Sequence, residues 1–238
     1  MENFSIFRGQ YDFMKKFIFT FLLLSTISTF AQENDYRSWG VVNFNQKIND
    51  KFNFQSDIQY RTWEDLDQLN QLLIRGGIGY NLTPNNNTIL MGYAYILTRN
   101  PDGEGGYNSF GENRIYQQLN TKHAYNRINL NHRFRFEERL MNDDIFYRFR
   151  YQLNVTVPIN NAKMQKNTLY AKVSNELFLN TIKKNDFDRD RLSFNLGYTF
   201  NPQVSLEAGY MKQYVKHVQT NHLLISLSFN NLLNKKPN

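Results

Sequence analysis

Cysteine is absent from the 238-residue chain. This absence excludes disulfides, thiolate metal sites, cysteine nucleophiles and an anchor on a lipid-modified cysteine. Long hydrophobic runs are also scarce, because hydrophobic residues make up 41% of the sequence and the mean hydropathy is −0.61. A chain of this composition is too polar to form a bundle of membrane helices.

Motifs that carry catalysis are lacking as well. Neither Gly-x-Ser-x-Gly nor His-Glu-x-x-His occurs, and the four histidines are scattered. Residues 186–190 resemble the start of a calcium loop, but Arg191 replaces the glycine that such a loop requires and Gly197 replaces its glutamate. We therefore predict no enzyme activity, no catalytic residue, no cofactor and no EF-hand metal site. Weak divalent-ion binding by residues 186–190 stays open.

Aromatic and basic residues are abundant. The chain contains 20 Phe, 15 Tyr and 2 Trp, and its formal net charge is +7. The basic residues alternate with apolar ones, as in residues 132–136 and 147–151, instead of forming runs. This alternation places them on one face of β-strands, so we predict no nucleic-acid partner.

The N-terminal region has the features of a secretory signal peptide. Lys15 and Lys16 precede an apolar stretch at residues 17–24, and small residues follow up to Ala31. The apolar stretch is too short to span a bilayer. We predict that Met14 is the true start, that residues 1–31 are an extension plus signal peptide, and that cleavage falls between Ala31 and Gln32. Residues 32–238 are then a single domain.

Beyond the signal peptide, hydrophobic residues recur with the strand period of two. In residues 51–62, for example, Phe52, Phe54, Ile58 and Tyr60 share one face. Short turns rich in Asn and Pro alternate with longer charged or glycine-rich connections, which is typical of an up-and-down barrel. The predicted strands are residues 38–48, 51–62, 70–82, 88–99, 111–123, 127–140, 145–157, 167–180, 189–200, 203–214 and 220–230.

These segments favour an all-β, closed antiparallel transmembrane barrel. They are about 10–14 residues long, whereas a soluble strand averages about 5–6 residues and a tilted membrane strand needs about 9–11. Bacterial barrels of this kind have an even number of strands. We therefore predict twelve strands, with an extra crossing within residues 32–41, and keep ten as the alternative. A soluble β-sandwich is the competing interpretation.

With the apolar face turned toward lipid, the opposite face fills the lumen with charge. Pairing Leu140 with Ile145 across the intervening turn places Glu137 opposite Arg148. Such a positive lumen suits either a narrow, porin-like anion pore or a structural barrel cross-linked by ion pairs. The predicted lumen network consists of Arg75, Glu112, Arg114, Arg133, Arg135, Glu137, Arg139, Arg148, Arg150, Glu176, Arg191 and Glu207. An enzyme acting on lipid, with His132 as its candidate residue, is the alternative function.

Three short motifs carry a resemblance to a known family. They are Glu-x-Arg at residues 112–114, Arg-x-Arg-x-Glu-x-Arg at 133–139 and Arg-x-Arg at 148–150. With the flanking glycine–aromatic pairs they make the chain resemble the domain of unknown function 2490 family of outer-membrane barrels. The resemblance implies an outer-membrane location in a Gram-negative cell and supplies no activity. We expect outer-membrane lipid, lipopolysaccharide and the secretion and barrel-assembly machinery as partners, and leave the oligomeric state open.

Overall fold

The computed structural model describes residues 36–63, 68–84, 86–142, 144–181, 186–216 and 218–233. Together these residues form one closed barrel of eleven strands. The predicted cleavage residues Ala31 and Gln32 lie outside the described residues. The strands are β1 (Tyr36–Lys47), β2 (Phe52–Thr62), β3 (Leu69–Asn81), β4 (Asn87–Pro101), β5 (Tyr107–Tyr125), β6 (Ile128–Met141), β7 (Asp144–Pro158), β8 (Thr168–Thr181), β9 (Asp186–Asn201), β10 (Val204–Val215) and β11 (Val218–Asn230).

Each strand coincides with one of the eleven segments that the period-two pattern predicts. The largest difference is at β5, which begins at Tyr107 instead of residue 111. Within the ranges given above, no helix is long and apolar enough to cross a membrane. The prediction of an all-β closed barrel is therefore confirmed.

The predicted strand number of twelve is wrong, and so is the alternative of ten. The barrel closes through a parallel pair, in which Tyr36 of β1 lies beside Asn221 of β11. Neighbouring strands in a wholly antiparallel barrel alternate in direction, so only an even number can close; one parallel pair permits an odd number. No extra crossing begins within residues 36–41, because Trp39 and its neighbours already pair with both β2 and β11.

The connections fall on two opposite ends of the barrel. One end, here called the turn rim, carries residues 48–51, 82–84, 86, 126–127, 159–167 and 202–203. Asn side chains shape these turns: Asn49 Oδ1 accepts the Phe52 backbone N–H at 2.8 Å, and Asn126 takes a left-handed φ of 52°. The other end, the loop rim, carries residues 102–106, with Gly103 and Gly105 at positive φ. The predicted difference in length is wrong in part, because the turn rim carries the nine-residue connection 159–167 and only two residues separate β6 from β7 at the loop rim.

The outer face of the barrel is rich in exposed apolar side chains, and the inner face is mostly polar. A small hydrophobic cluster on β3, β4 and β5 lies inside the lumen and consists of Leu73, Leu90, Ala94, Ile96 and Tyr116. The charged motifs gave no indication of it. The Tyr116 ring lies over Gly92 on the adjacent strand, in the space that any larger side chain would occupy.

Candidate functional site: the charged lumen

The inward face of β5 to β9 brings ten of the twelve predicted lumen residues together, whereas Arg75 of β3 pairs with Asp57 of β2 and Glu207 of β10 pairs with Lys172. Period-two alternation turns Arg148 and Arg150 of β7 inward, and the β6–β7 hairpin places Glu137 opposite Arg148. This hairpin register was predicted and is confirmed. All twelve residues of the predicted network contact an oppositely charged side chain within ion-pair distance.

Glu137 is the most crowded carboxylate of the lumen. Arg148 Nη2 lies 2.6 Å from its Oε2 and Arg150 Nη1 lies 2.5 Å from its Oε1. Nη1 of Arg135 and of Arg114 lie farther away, at 3.6 and 3.8 Å. The residue is only 1% exposed, so charge-assisted hydrogen bonds replace the water that its carboxylate has lost.

Glu176 is a second centre, linked to the first by Arg150. Arg150 donates to Glu137 through Nη1 and to Glu176 through Nη2, both at 2.5 Å. Arg133 Nη2 also lies 2.5 Å from Glu176, and Arg191 Nη1 lies 3.8 Å away. Side chains from β6, β7, β8 and β9 are thereby tied into one network.

The remaining carboxylates hold the edges of this network. Glu112 accepts from both Arg114 and Arg139, at 2.5 and 2.6 Å. Asp188 accepts from Arg148 at 3.0 Å. Toward the turn rim, Glu207 accepts from Lys172 at 2.9 Å and from the Tyr170 hydroxyl at 3.0 Å.

Cation–π contacts extend the network across the lumen. The Arg191 guanidinium carbon lies 4.5 Å from the centroid of the Phe178 ring and 4.8 Å from that of Trp39. Arg61 covers Trp39 at 3.9 Å, and Arg150 covers Phe178 at 4.4 Å. Since Trp39 belongs to β1 and Phe178 to β8, these contacts connect distant parts of the barrel wall.

Positive charge exceeds negative charge in this region. Three arginines donate hydrogen bonds to neutral glutamine carbonyls: Arg61 to Gln59 and Gln71, Arg135 to Gln118, and Arg191 to Gln213. In addition, Arg61 is repelled by other lumen arginines. The network contains Lys172 and ten arginines, which are Arg61, Arg75, Arg114, Arg133, Arg135, Arg139, Arg148, Arg150, Arg189 and Arg191, and six carboxylates, which are Asp57, Glu112, Glu137, Glu176, Asp188 and Glu207.

A cavity of about 1150 Å³ lies between this network and the turn rim. Its floor includes Arg61, Arg135 and Arg191, and its mouth includes Lys47 and Asp50. At the mouth, Lys47 Nζ lies 2.6 Å from Asp50 Oδ1. This hydrogen bond from Lys47 lowers the pKa of Asp50 below its ordinary value. The lumen therefore offers a polar, water-accessible chamber that ends on buried arginines.

Sequence reasoning missed several residues that complete the site. Phe178 falls on the same inward phase as Glu176, and Trp39 on that of Val41 and Asn43, so alternation could have located both. Alternation could not have located Asp188 in the same way. A β-bulge leaves it unpaired between two ladder positions, because Phe178 pairs with Arg189 while Leu179 pairs with Phe187.

His132, the candidate residue for lipid chemistry, and residues 186–190, the candidate site for a divalent ion, are held by hydrogen bonds and ion pairs to other side chains. His132 Nδ1 lies 2.9 Å from the Tyr151 hydroxyl, and its ring lies beside that of His123. In the 186–190 segment, Asp188 is paired with arginines and Asp190 accepts from Asn175. Over the residues described above, no group of three or more His, Cys, Asp or Glu side chains is arranged to hold a metal ion.

The chain was compared with known families, curated proteins and solved structures. The family described as "Protein of unknown function (DUF2490)" matches residues 36–223. No curated protein and no solved structure matches the chain. The family match covers every strand except the last part of β11.

Proposed function

The chain belongs to the DUF2490 family, whose function is unknown, and from its geometry we propose an outer-membrane β-barrel with a bridged lumen. In this proposal the barrel spans the outer membrane of a Gram-negative cell. The ion-pair network holds the wall together across the lumen. The protein is thus a structural barrel with a polar chamber on one side, and not a wide open pore.

The observation that carries this proposal is the inverted distribution of polarity. On the outside, Met91 is 63% and Ile225 60% exposed, whereas inside Glu137 and Arg148 are 1% and 3% exposed. A soluble protein places these residue types the other way round, because exposed apolar area is unfavourable in water. In lipid the same arrangement is favourable, and closure of the barrel pairs the backbone groups that hydrocarbon cannot solvate.

Exposed aromatic residues near both ends support the membrane assignment. Phe52 and Tyr80 lie on the outside near the turn rim, and Tyr107 and Phe110 lie near the loop rim. Aromatic girdles of this kind mark the two interfaces of transmembrane barrels. Their positions fit a barrel that crosses the bilayer along its full height.

The choice of a bridged lumen over a pore rests on Phe178 and Arg191. The Phe178 side chain is 1% exposed, and Arg191 lies between it and Trp39. No observation favours an enzyme acting on lipid, because the ring of His132 is hydrogen-bonded to Tyr151.

The proposal is tested by expressing the full chain in a Gram-negative host and separating the inner, outer and soluble fractions. We expect outer-membrane protein whose first residue is Gln32 and whose migration on a gel changes on heating. Planar-bilayer recording of the extracted protein should show little conductance. A soluble product that retains Met14 would refute the location, and a large steady conductance would refute the bridged lumen.

A further inference from the structure

The floor of the cavity carries more positive charge than its neighbours neutralise. The cavity lining includes ten basic and four acidic side chains. On the floor, Arg135 is repelled by Arg75, Arg133 and Arg150, which come from β3, β6 and β7, and is attracted by Glu137, whose Oε1 lies 3.6 Å from its Nη1. Its own hydrogen-bond acceptor is the neutral Gln118. An anion that enters from the turn rim therefore meets a positive potential that increases toward the floor.

Two of these arginines retain donor groups without a partner. The Nε atoms of Arg61 and Arg133 are buried and donate no hydrogen bond. Arg133 uses only Nη2, which lies 2.5 Å from Glu176. Guanidinium groups bind carboxylates and phosphates through charge-assisted hydrogen bonds, and each of these two Nε–H groups is a donor for such an anion.

The walls above the floor are rich in amides instead of charges. Fifteen Asn and Gln side chains line the cavity, Asn131 and Gln152 among them. The Oδ1 atom of Asn131 is buried without a donor. Amides both donate and accept hydrogen bonds, so this wall matches a ligand that carries several hydroxyl groups. The volume of about 1150 Å³ also exceeds what a lone inorganic anion fills.

From these observations we propose that the cavity binds a hydroxyl-bearing organic anion, namely a sugar that carries a carboxylate or a phosphate. Its anionic group pairs with Arg133 and Arg135, and its hydroxyls contact the amide wall. The assignment deepens the proposed function, because it gives the polar chamber an occupant that enters through the turn rim.

Binding is measured by isothermal titration of the protein extracted in a neutral detergent. The probes are galacturonate, glucose 6-phosphate, glucose and inorganic phosphate. We expect one of the two anionic sugars to bind at one molecule per barrel, at least tenfold more tightly than glucose and than phosphate. The galacturonate and glucose 6-phosphate arms distinguish a carboxylate ligand from a phosphate ligand.

Two matched variants test the site. Arg133→Met removes an arginine of the cavity floor that pairs with Glu176. Arg139→Met removes an arginine that pairs with Glu112 at a similar distance and does not line the cavity. The first should lower the affinity for the anionic sugar at least tenfold, and the second less than threefold. Arg133→Lys, which keeps the charge and loses the unpartnered Nε donor, replaces the first if that variant does not fold.

Three results would overturn the assignment. Glucose or inorganic phosphate alone binds as tightly as the anionic sugars, neither anionic sugar binds, or the two variants change the affinity equally. These results are distinguishable from failure of the proposed function. A protein found in the outer membrane that binds neither sugar refutes the ligand alone. A soluble protein that binds one refutes the membrane location alone.

Discussion

Arg135 and Arg150 occupy directly opposed positions on β6 and β7, so two positive charges face each other across one rung of the sheet. Opposed like charges destabilise a strand pair. Here they are directed to different acceptors: Arg150 bridges Glu137 and Glu176, while Arg135 donates to Gln118 and lies over the Tyr116 ring at 4.3 Å. The stability of this hairpin therefore depends on a few carboxylates that serve several arginines each.

Loss of the Glu137 carboxylate should destabilise the barrel strongly. Glu137→Gln leaves Arg148 and Arg150 short of a charged acceptor in a buried place, and breaking such a pair costs about 3–5 kcal/mol. Glu104→Gln, in the exposed connection at residues 102–106, is the matched control and should cost under about 0.5 kcal/mol. Urea unfolding in lipid vesicles measures both values. Equal unfolding midpoints would mean that the carboxylate does not hold the network.

Glycine-to-alanine substitution should separate crowded from open positions on the wall. A Cβ added at Gly92 would lie 2.7 Å from the Gly76 carbonyl oxygen and would collide with the Tyr116 ring, whereas at Gly40 the nearest atom is 3.9 Å away. Overpacking of this kind costs about 1–3 kcal/mol. We expect Gly92→Ala to lower the unfolding midpoint and Gly40→Ala to leave it unchanged. A Gly92→Ala protein as stable as the unmodified one would contradict the observed ring position.

The orientation of β11 is tested by one substitution at two adjacent residues. Ile225 faces outward and Leu224 lines the cavity. A charge on the lipid face of a barrel costs up to about 2–4 kcal/mol for a basic residue and less for an acidic one. Ile225→Glu should therefore reduce folding into vesicles, while Leu224→Glu meets a positive lumen and should be tolerated.

If Leu224→Glu reduced folding and Ile225→Glu did not, the inward and outward faces of β11 would be exchanged. Every inward arginine of a strand changes face when its register moves by one residue. The fraction of folded protein is read from the unheated gel, with both variants refolded under the same conditions.

Local patterns in the sequence were sufficient to predict the strands and the Glu137–Arg148 pairing. Alternation identifies the inward face, and a tight connection between Leu140 and Ile145 permits one register. Closure of the barrel is not local, because it depends on how Tyr36 and Asn221 meet at opposite ends of the chain. The period-two pattern indicates eleven strands, but turn signals do not reveal the parallel pair, so the rule of an even strand number led to the prediction of twelve.

The stacking of arginines on the aromatic rings of the site could not be predicted from the pattern either. Alternation places Phe178, Trp39 and Arg191 inside, but their stacking depends on the curvature of the closed barrel and on side-chain rotamers. The bulge at Asp188 interrupts the period of two, and nothing in the residue types around it signals the interruption.

Removal of the Phe178 ring should open a path for ions through the lumen. Phe178 is 1% exposed, and the guanidinium groups of Arg150 and Arg191 pack against its ring. In Phe178→Ala those arginines lose the ring that they share, and their mutual repulsion favours separation. We expect the variant to show larger single-channel conductance in planar bilayers than the unmodified protein.

The matched control is Phe194→Ala, which removes a phenyl ring from the outer surface of the barrel, where Phe194 is 52% exposed. It should not change the conductance. Because arginines outnumber carboxylates in the network, the current through Phe178→Ala should carry anions in preference to cations. Reversal potentials in a salt gradient measure this preference. A cation-selective current would show that the lumen charge is neutralised, and equal conductance of the two variants would show that Phe178 does not close the path.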